Sequence, residues 1–310
     1  MPVEPTPDAG SLPLRIAIGG SGGLVGSALV RFLAATGHQP LPLVRRAAQA
    51  EEIAWDPSAG QLDPAAFIDC DAVIHLGGTT VAQRWTAAGR TDIRRSRIAS
   101  TRLIAETIAR ATRRPRTLII ASAVGFYGDR KDEELTEDSA AGTGFLAEVC
   151  RDWEAAADPA RAAGVRVVHV RLGVVLAANG GALARMLPAF RCGFGGRIGS
   201  GRQWLPWIHR DDVVAVFQRC LVDERLSGAI NAVAPQAVRQ GDFARVLAAT
   251  LHRPCLLPLP GFAVSLLLGD MGRGLLLASQ RVVPRRLQAA GFSWAFPELP
   301  TALVDVLGKH

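Results

Sequence analysis

Lysine and tyrosine are almost absent from this chain of 310 residues. Of its 35 lysines and arginines only Lys131 and Lys309 are lysines, and Tyr127 is the one tyrosine. Chemistry that needs either side chain as a proton donor therefore has very few candidates. The formal charge of +7 comes from arginines spread along the chain, with no basic run interleaved with aromatic residues. We therefore expect no nucleic-acid partner; only the pI of about 9.9 points the other way.

Cysteine is also scarce, and no Cys-x-x-Cys pair occurs among Cys70, Cys150, Cys192, Cys220 and Cys255. This argues against both a disulfide framework and a zinc site, and it favours a reducing compartment. Residues 1–13 contain four prolines and no apolar run, so we expect a disordered tail and no signal peptide. The apolar stretch 261–278 is interrupted by Asp270 and Arg273 and is unsuited to span a bilayer. We expect a cytoplasmic protein without a membrane partner or a bound metal.

Short apolar runs alternate with helical patterns over the first 175 residues. This alternation is typical of βαβ units and predicts an α/β fold, a Rossmann-like doubly wound parallel sheet. We assign residues 14–175 and a return segment at about 207–234 to this domain, and residues 176–206 and 235–310 to a smaller C-terminal substrate domain. The predicted strands are Leu14–Ile18, Gln39–Val44, Ala72–Leu76, Arg116–Ala121 and Val165–Arg171. The predicted helices are Leu24–Thr36, Ser96–Ala111, Phe145–Ala163, Asp211–Leu221 and Asp242–Leu251.

A glycine triplet, Gly20-x-x-Gly23-x-x-Gly26, lies between the first strand and the first helix. In this position the first glycine allows a tight turn, the second lets the backbone approach a pyrophosphate, and the third lets the helix pack closely. The helix N-terminus then directs free N–H groups at the phosphates. The pattern predicts a dinucleotide site on the triplet and on Ser21, Leu24 and Val25 between the glycines; a glycine-rich turn without a ligand is the alternative.

The residues after the second strand distinguish NADP from NAD. An acidic residue there would bind a ribose 2′-hydroxyl and repel a 2′-phosphate. This chain has Arg45 and Arg46 instead, and arginine binds phosphate through paired, charge-assisted hydrogen bonds. We therefore predict NADP(H) as the cofactor; the alternative is that both arginines are ordinary surface charges.

Taken together, the motifs resemble the extended short-chain dehydrogenase/reductase superfamily over residues 14–307. Within it, the chain is similar to the NAD-dependent epimerase/dehydratase-like, epimerase-family branch that carries an extra C-terminal domain. Besides the glycine triplet, the resemblance depends on these segments: Asp71-Ala-Val-Ile-His-Leu-Gly-Gly78, Arg84-Trp85, Ser96-Arg97-Ile98, Ser122-Ala-Val-Gly-Phe-Tyr-Gly128, Trp153-Glu154, Arg171-Leu-Gly-Val-Val-Leu176, Trp207-Ile-His-Arg-Asp-Asp212, Asn231-Ala-Val-Ala-Pro235, Gln280-Arg-Val-Val-Pro284 and Gly291-Phe292.

The resemblance implies an NADP(H)-binding domain and a smaller substrate domain. It places the cofactor on the glycine triplet, on Arg45, on the turn Leu76-Gly77-Gly78 and on Arg97. The chain departs from the family pattern at two positions. Gly19 stands where the branch usually has Ser or Thr, and His75 stands where it usually has Asn.

The family's proton relay is absent from the expected helix. Short-chain dehydrogenases generally use Tyr-x-x-x-Lys there, but residues 145–150 read Phe-Leu-Ala-Glu-Val-Cys. Tyr127 and Lys131 have the right spacing, but they lie in a loop after the fifth strand. Ser122 is offset by one residue from the usual serine, which leaves Ala123 at the aligned position. A relay must therefore be non-standard, and Ser122 and Tyr127 are its first candidates, followed by Glu148, Cys150 and His209. Each of these has a purely structural alternative, such as a helix cap formed by Asp211 beside His209.

A substrate pocket is predicted from aromatic and cationic residues after the cofactor motifs: Arg84, Trp85, Trp204, Trp207 and His209. Such a pocket suits a planar or anionic small molecule, although the tryptophans would serve equally as core residues.

The sequence leaves two candidate functions. The first is an NADP(H)-dependent oxidoreductase or epimerase-like enzyme acting on an unknown small molecule. The second is an NADP(H)-binding sensor or scaffold without turnover. A homodimer is left open.

Overall fold

The computed structural model describes residues 13–308. The strands are β1 Arg15–Gly19, β2 Gln39–Val44, β3 Ile53–Ala54, β4 Ala72–His75, β5 Thr117–Ala123, β6 Glu134–Leu135, β7 Arg166–Leu172, β8 Val174–Leu176, β9 Trp204–Leu205, β10 Trp207–His209, β11 Gly228–Ala232, β12 Val238–Arg239 and β13 Arg281–Val282. The helices are α1 Leu24–Ala35, α2 Ala87–Arg110, α3 Phe145–Ala155, α4 Asp158–Ala162, α5 Gly181–Arg191, α6 Arg210–Val222, α7 Gln240–Thr250, α8 Gly261–Gly272, α9 Arg285–Ala289 and α10 Leu299–Gly308. The tail predicted for residues 1–13 lies outside the described residues except for Pro13.

A seven-stranded sheet forms the centre of the molecule, in the order β11-β7-β5-β4-β1-β2-β3. Every neighbouring pair in it is parallel. The inner strands are buried apolar runs, as parallel strands covered on both faces must be. The predicted Rossmann-like, doubly wound sheet is confirmed.

The chain order of the strands determines where the helices lie. From β1 the chain moves outward to β2, whereas from β4 it moves the opposite way to β5. Because such crossovers are right-handed, the helices of the two halves cover opposite faces. On one face, α2 packs against α3 and α4. On the other face α1 packs against α6, although α6 follows β7 in the chain and leads into β11. The carboxyl ends of β1 and β4 thus border a crevice at the point where the strand order reverses.

Two helix predictions were wrong in extent. α2 begins at Ala87 instead of Ser96, with the Thr86 hydroxyl accepting a hydrogen bond from the Gly89 N–H at 3.1 Å. Its first turns carry arginines and no apolar spacing, so the periodicity did not show them. The predicted helix from Phe145 to Ala163 is two helices, α3 and α4. Pro159 explains the break, because proline has no N–H to donate within a continuing helix.

Three hydrophobic clusters stabilise the described part of the chain, and two of them are extensive. The larger surrounds the seven-stranded sheet. The second joins β8 and β10 with α5, α7 and α10 through Leu187, Trp207, Phe243 and Leu303. The apolar α8 is broken at Gly269, whose φ of 57° is unfavourable for other residues. Across residues 13–308, no helix has the length and apolarity that a membrane span requires.

Candidate functional site

The glycine triplet forms the turn from β1 into α1, and two of its glycines are required by space. Gly20 has a φ of +81°, and a Cβ there would lie 2.9 Å from the Gly77 nitrogen. A Cβ on Gly26 would overlap the carbonyl oxygen of Gly20. The first position therefore lets the β1 turn approach the β4 turn, and the last lets α1 pack against the loop.

The N-terminus of α1 is open toward this loop. Its N-cap residue, Gly23, has no side chain to accept a hydrogen bond, and the first turn contains no acidic residue. The positive end of the helix dipole and the first free N–H groups are therefore available to an anion.

A cleft of about 700 Å³ opens beside this N-terminus. Arg45 lines it, whereas Arg46 turns away and donates two hydrogen bonds of 2.7 and 2.8 Å to Glu52. Trp55 also lines the cleft, and sequence reasoning missed it. The remaining lining residues are Gly20, Ser21, Gly22, Gly23, Leu43, Pro57, Ser58, His75, Leu76, Gly77, Gly78, Thr79, Asp92, Arg95, Ser96, Ala99 and Ser100.

Arg97 lies just beyond the Gly78 end of this cleft. A Cβ on Gly78 would be 3.0 Å from the guanidinium carbon of Arg97. That guanidinium stacks over Trp153 at 5.2 Å and donates one hydrogen bond, to the Ile93 carbonyl. Burial lowers its pKa, and no carboxylate of residues 13–308 pairs with it. Its remaining donors and its charge are available to a ligand.

His75 fills the space between the two turns. It is fully buried, and its Nε2 lies 2.9 Å from the Ser100 hydroxyl. That hydroxyl donates to the Ser96 carbonyl at 2.6 Å, so Nε2 carries the imidazole hydrogen. The other nitrogen, Nδ1, has no hydrogen-bond partner in the described part of the chain. Burial lowers the pKa of His75 to about 4, which keeps the ring neutral near pH 7.

Ser122 and Tyr127, the first candidates for a proton relay, belong to one buried hydrogen-bond network. Ser122 donates to Glu154 at 2.7 Å, and both carboxylate oxygens of Glu154 accept from Arg171 at 2.9 Å. Arg171 also donates to the Tyr127 hydroxyl at 3.0 Å, and that hydroxyl donates to Asn231 at 2.7 Å. Burial raises the pKa of Tyr127. Neither hydroxyl lines the cleft.

Residues 16–232 match the model of the NAD dependent epimerase/dehydratase family. The chain belongs to this family. Residues 259–306 match a second model, a domain of unknown function named DUF1731. The family resemblance drawn from the motifs is confirmed.

Three relatives share most of this epimerase-family chain. An epimerase family protein of Mycobacterium bovis is 44% identical over 290 residues, 93% of this chain and 96% of the relative. A crystal structure of human epimerase family protein SDR39U1 (isoform 2) with NADPH has a TM-score of 0.86 and 34% identity, covering 96% of this chain and 100% of that one. A nucleoside-diphosphate sugar epimerase from Corynebacterium glutamicum has a TM-score of 0.79 and 38% identity, covering 96% of this chain and 59% of that one.

The other relay candidates of this epimerase-family protein have structural surroundings. Cys150 is buried, and burial raises the pKa of its thiol to about 12. Glu148 is half exposed and lies 3.9 Å from Arg94. Lys131 is exposed and pairs with Asp129 at 2.5 Å. Because Tyr127 is buried, the literal Tyr-x-x-x-Lys spacing does not bring the two side chains together.

The residues predicted to line a substrate pocket lie in three places. Trp85 packs edge-on against Phe145 at 4.9 Å, and a Cβ on Gly274 would lie 2.9 Å from its ring, so it borders the C-terminal segment. The neighbouring Arg84 is exposed. Trp204 lies under the Arg239 guanidinium at 3.9 Å and donates to Asp132. Trp207 is buried in the second hydrophobic cluster.

His209, the fifth of these residues, caps α6 and approaches Asp305. Its Nδ1 accepts from the Asp211 N–H at 3.1 Å, so His209 is the N-cap residue and the expectation that Asp211 caps the helix was wrong. Its Nε2 lies 3.1 Å from the Asp305 carboxylate. His209, Asp211 and Asp305 together are a group of metal-ligating residue types.

Proposed function

We propose that this protein binds NADP(H) in the cleft between the β1 and β4 turns and acts as an oxidoreductase or epimerase-like enzyme on a small molecule. The observation that carries the proposal is that the N-terminus of α1 and Arg45 border the same cleft. The space at Gly20 and Gly26, the absence of a helix cap and the volume of about 700 Å³ all suit a dinucleotide. The NADPH in the human relative's structure supports it.

Each part of the cleft has a task in this proposal. The loop and α1 hold the pyrophosphate. Arg45 binds the 2′-phosphate, and Trp55 offers an aromatic face near it. Arg97 lies just beyond the Gly78 end of the cleft, and its charge, which no carboxylate of residues 13–308 pairs with, would stabilise an oxyanion that develops on a substrate bound there. The bound cofactor supplies or accepts the hydride.

The test of cofactor choice is a titration with NADPH and NADH, read from the intrinsic tryptophan fluorescence, to which Trp55 in the cleft contributes. Wild type is expected to prefer NADPH. Arg45→Ala should reduce that preference about tenfold or more, because a hydrogen-bonded charge pair is lost. Arg46→Ala is the matched control; its side chain is already engaged by Glu52, so the preference should persist. Equal binding of both cofactors by wild type, or an unchanged preference in Arg45→Ala, contradicts the proposal.

A sensor or scaffold without turnover is the second candidate, favoured by the buried network. The chain's one tyrosine and Ser122 both donate within it, so neither hydroxyl is poised over the cleft. Stereospecific deuteride transfer from 4-deuterated NADPH to a carbonyl panel distinguishes the two candidates. Transfer that falls in Arg97→Gln supports the enzyme. Tight NADPH binding without transfer to any compound supports the sensor.

A further inference from the structure

A second cavity lies outside the nucleotide cleft and shares no lining residue with it. Its volume is about 770 Å³. Its walls come from residues 197–202, the start of α7, Asp132 in the loop before β6, and residues 255–258. None of the family motifs that indicate the cofactor contributes to it.

The charges on these walls do not balance. Four arginines and two aspartates line the cavity. Asp132 pairs with Arg239 at 2.9 Å, and Asp242 pairs with Arg245. No carboxylate among residues 13–308 lies within ion-pair distance of Arg197 or Arg202. The cavity is therefore lined by two exposed arginines that have no carboxylate partner among the described residues, and their positive charge favours an anion there.

The backbone that carries these two arginines is braced. The Ile198 N–H donates to the Gln240 side chain at 2.8 Å, and the Gln203 side chain donates to the Ile198 carbonyl at 2.9 Å. Both glutamines are buried. The Gly241 N–H donates to the Gly201 carbonyl at 2.9 Å, which ties the segment to α7. A wall held in this way loses little conformational freedom when a ligand binds.

We propose that this cavity binds a phosphorylated small molecule, with Arg197 and Arg202 holding its phosphate. Arginine is expected at almost any basic position of a chain that has two lysines. Arg197 and Arg202 differ from the other two arginines of this cavity in having no carboxylate partner among residues 13–308. Guanidinium groups bind phosphate oxygens through paired hydrogen bonds. The site goes beyond the proposed nucleotide cleft and is independent of it.

The test is a titration of the full chain with pyrophosphate by isothermal calorimetry at near-physiological salt, with and without saturating NADPH. Wild type should bind saturably under both conditions. Arg197→Gln/Arg202→Gln should weaken binding about tenfold or more. Arg31→Gln/Arg102→Gln is the charge-matched control, since both residues are exposed on α1 and α2 and line neither cavity; it should bind as wild type.

Three outcomes would overturn the proposal: no saturable binding to wild type, equal weakening in both double variants, or binding to wild type that saturating NADPH abolishes. The last result would place pyrophosphate in the nucleotide cleft. Failure of NADPH to bind would reject the proposed function and leave the titration without NADPH as the test of this cavity.

Discussion

At the scale of single residues, the two departures from the family pattern explain each other. A Cβ on Gly19 would lie 2.5 Å from Nδ1 of His75, and a Cβ on Gly77 would lie 2.6 Å from its Cε1. The imidazole therefore occupies the room that a serine or threonine at position 19 would need. The effect of a substitution at position 19 is therefore expected to depend on which residue stands at position 75.

This coupling predicts the behaviour of a double-mutant cycle. Gly19→Ser should displace His75, and His75→Asn should leave a void beside the loop, so each should lower stability and NADPH affinity. In Gly19→Ser/His75→Asn the smaller amide leaves room for the hydroxymethyl group. The free energy of unfolding that the double variant loses should be smaller than the sum of the losses in the two single variants by about 0.5–3 kcal/mol. Urea unfolding of all four proteins measures this difference. Additive losses would show that the two positions are independent.

At the scale of elements, the site is the meeting of two strand ends with one helix N-terminus. The position of the phosphate loop depends on how closely α1 approaches it. Gly26 sets that approach from the helix side, because any side chain there would overlap the Gly20 carbonyl.

Gly26→Ala is therefore expected to push α1 away from the loop. NADPH affinity should fall at least about tenfold, and the midpoint of thermal unfolding should fall as well, since the added methyl overpacks the contact by about 1–3 kcal/mol. Gly22→Ala is the control in the same loop, because nothing lies within 4 Å of its added Cβ. Its thermal midpoint should stay near that of wild type. A tolerated Gly26→Ala would contradict this account of the loop.

At the scale of the whole molecule, buried polar groups connect distant parts of the chain. The network from Ser122 to Asn231 joins β5, α3, β7 and β11, and Asn231 donates to the Val283 carbonyl at 3.0 Å. Asp212 accepts from the backbone of Ala295 and Phe296 at 2.7 and 3.1 Å. Groups of this kind make stability depend on pH.

His169 should make the protein less stable in acid. Burial lowers its pKa to about 4, whereas the unfolded chain titrates near about 6.5. Between these values the unfolded state binds a proton that the native state does not, so stability is lost as pH falls. Burial raises the pKa of Asp212 to about 6. In the lower part of this pH range the native state therefore binds a proton at Asp212 that the unfolded state does not, and this offsets part of the loss of stability caused by His169.

Urea unfolding at pH 7.5 and 5 checks this prediction. His169→Asn should reduce the loss of unfolding free energy between the two pH values by about 2 kcal/mol. His252→Asn, at an exposed residue with a φ of 53° that asparagine tolerates, should leave the loss unchanged. An undiminished loss in His169→Asn would show that this residue titrates normally.

Much of the nucleotide cleft could be predicted because its signals are local. The glycine spacing and the turn after β4 each lie within a few residues, and the structure brings these elements together where the strand order reverses. Trp55 could not be found in this way, since it belongs to no motif. It reaches the cleft because the short edge strand β3 pairs with the end of β2, Val44 opposite Ala54.

The relay candidates show the limit of local reasoning. Ser122 and Glu154 are 32 residues apart, and Tyr127 and Asn231 are 104 apart. No spacing rule indicates such pairs, because they form only when strands and helices from separate parts of the chain pack together. Arg46 is an intermediate case: its partner, Glu52, lies six residues away across a loop.

The sequence by itself determined the family, the Rossmann-like sheet and the lack of the usual Tyr-x-x-x-Lys relay, because these follow from residue counts and from patterns read over short distances. The tertiary structure decided which polar groups face the cleft and which are buried. It placed Arg45 in the cleft, took Tyr127 into the interior and fitted His75 against Gly19. Those outcomes depend on long-range packing, in which a buried polar group must find a partner wherever the fold supplies one.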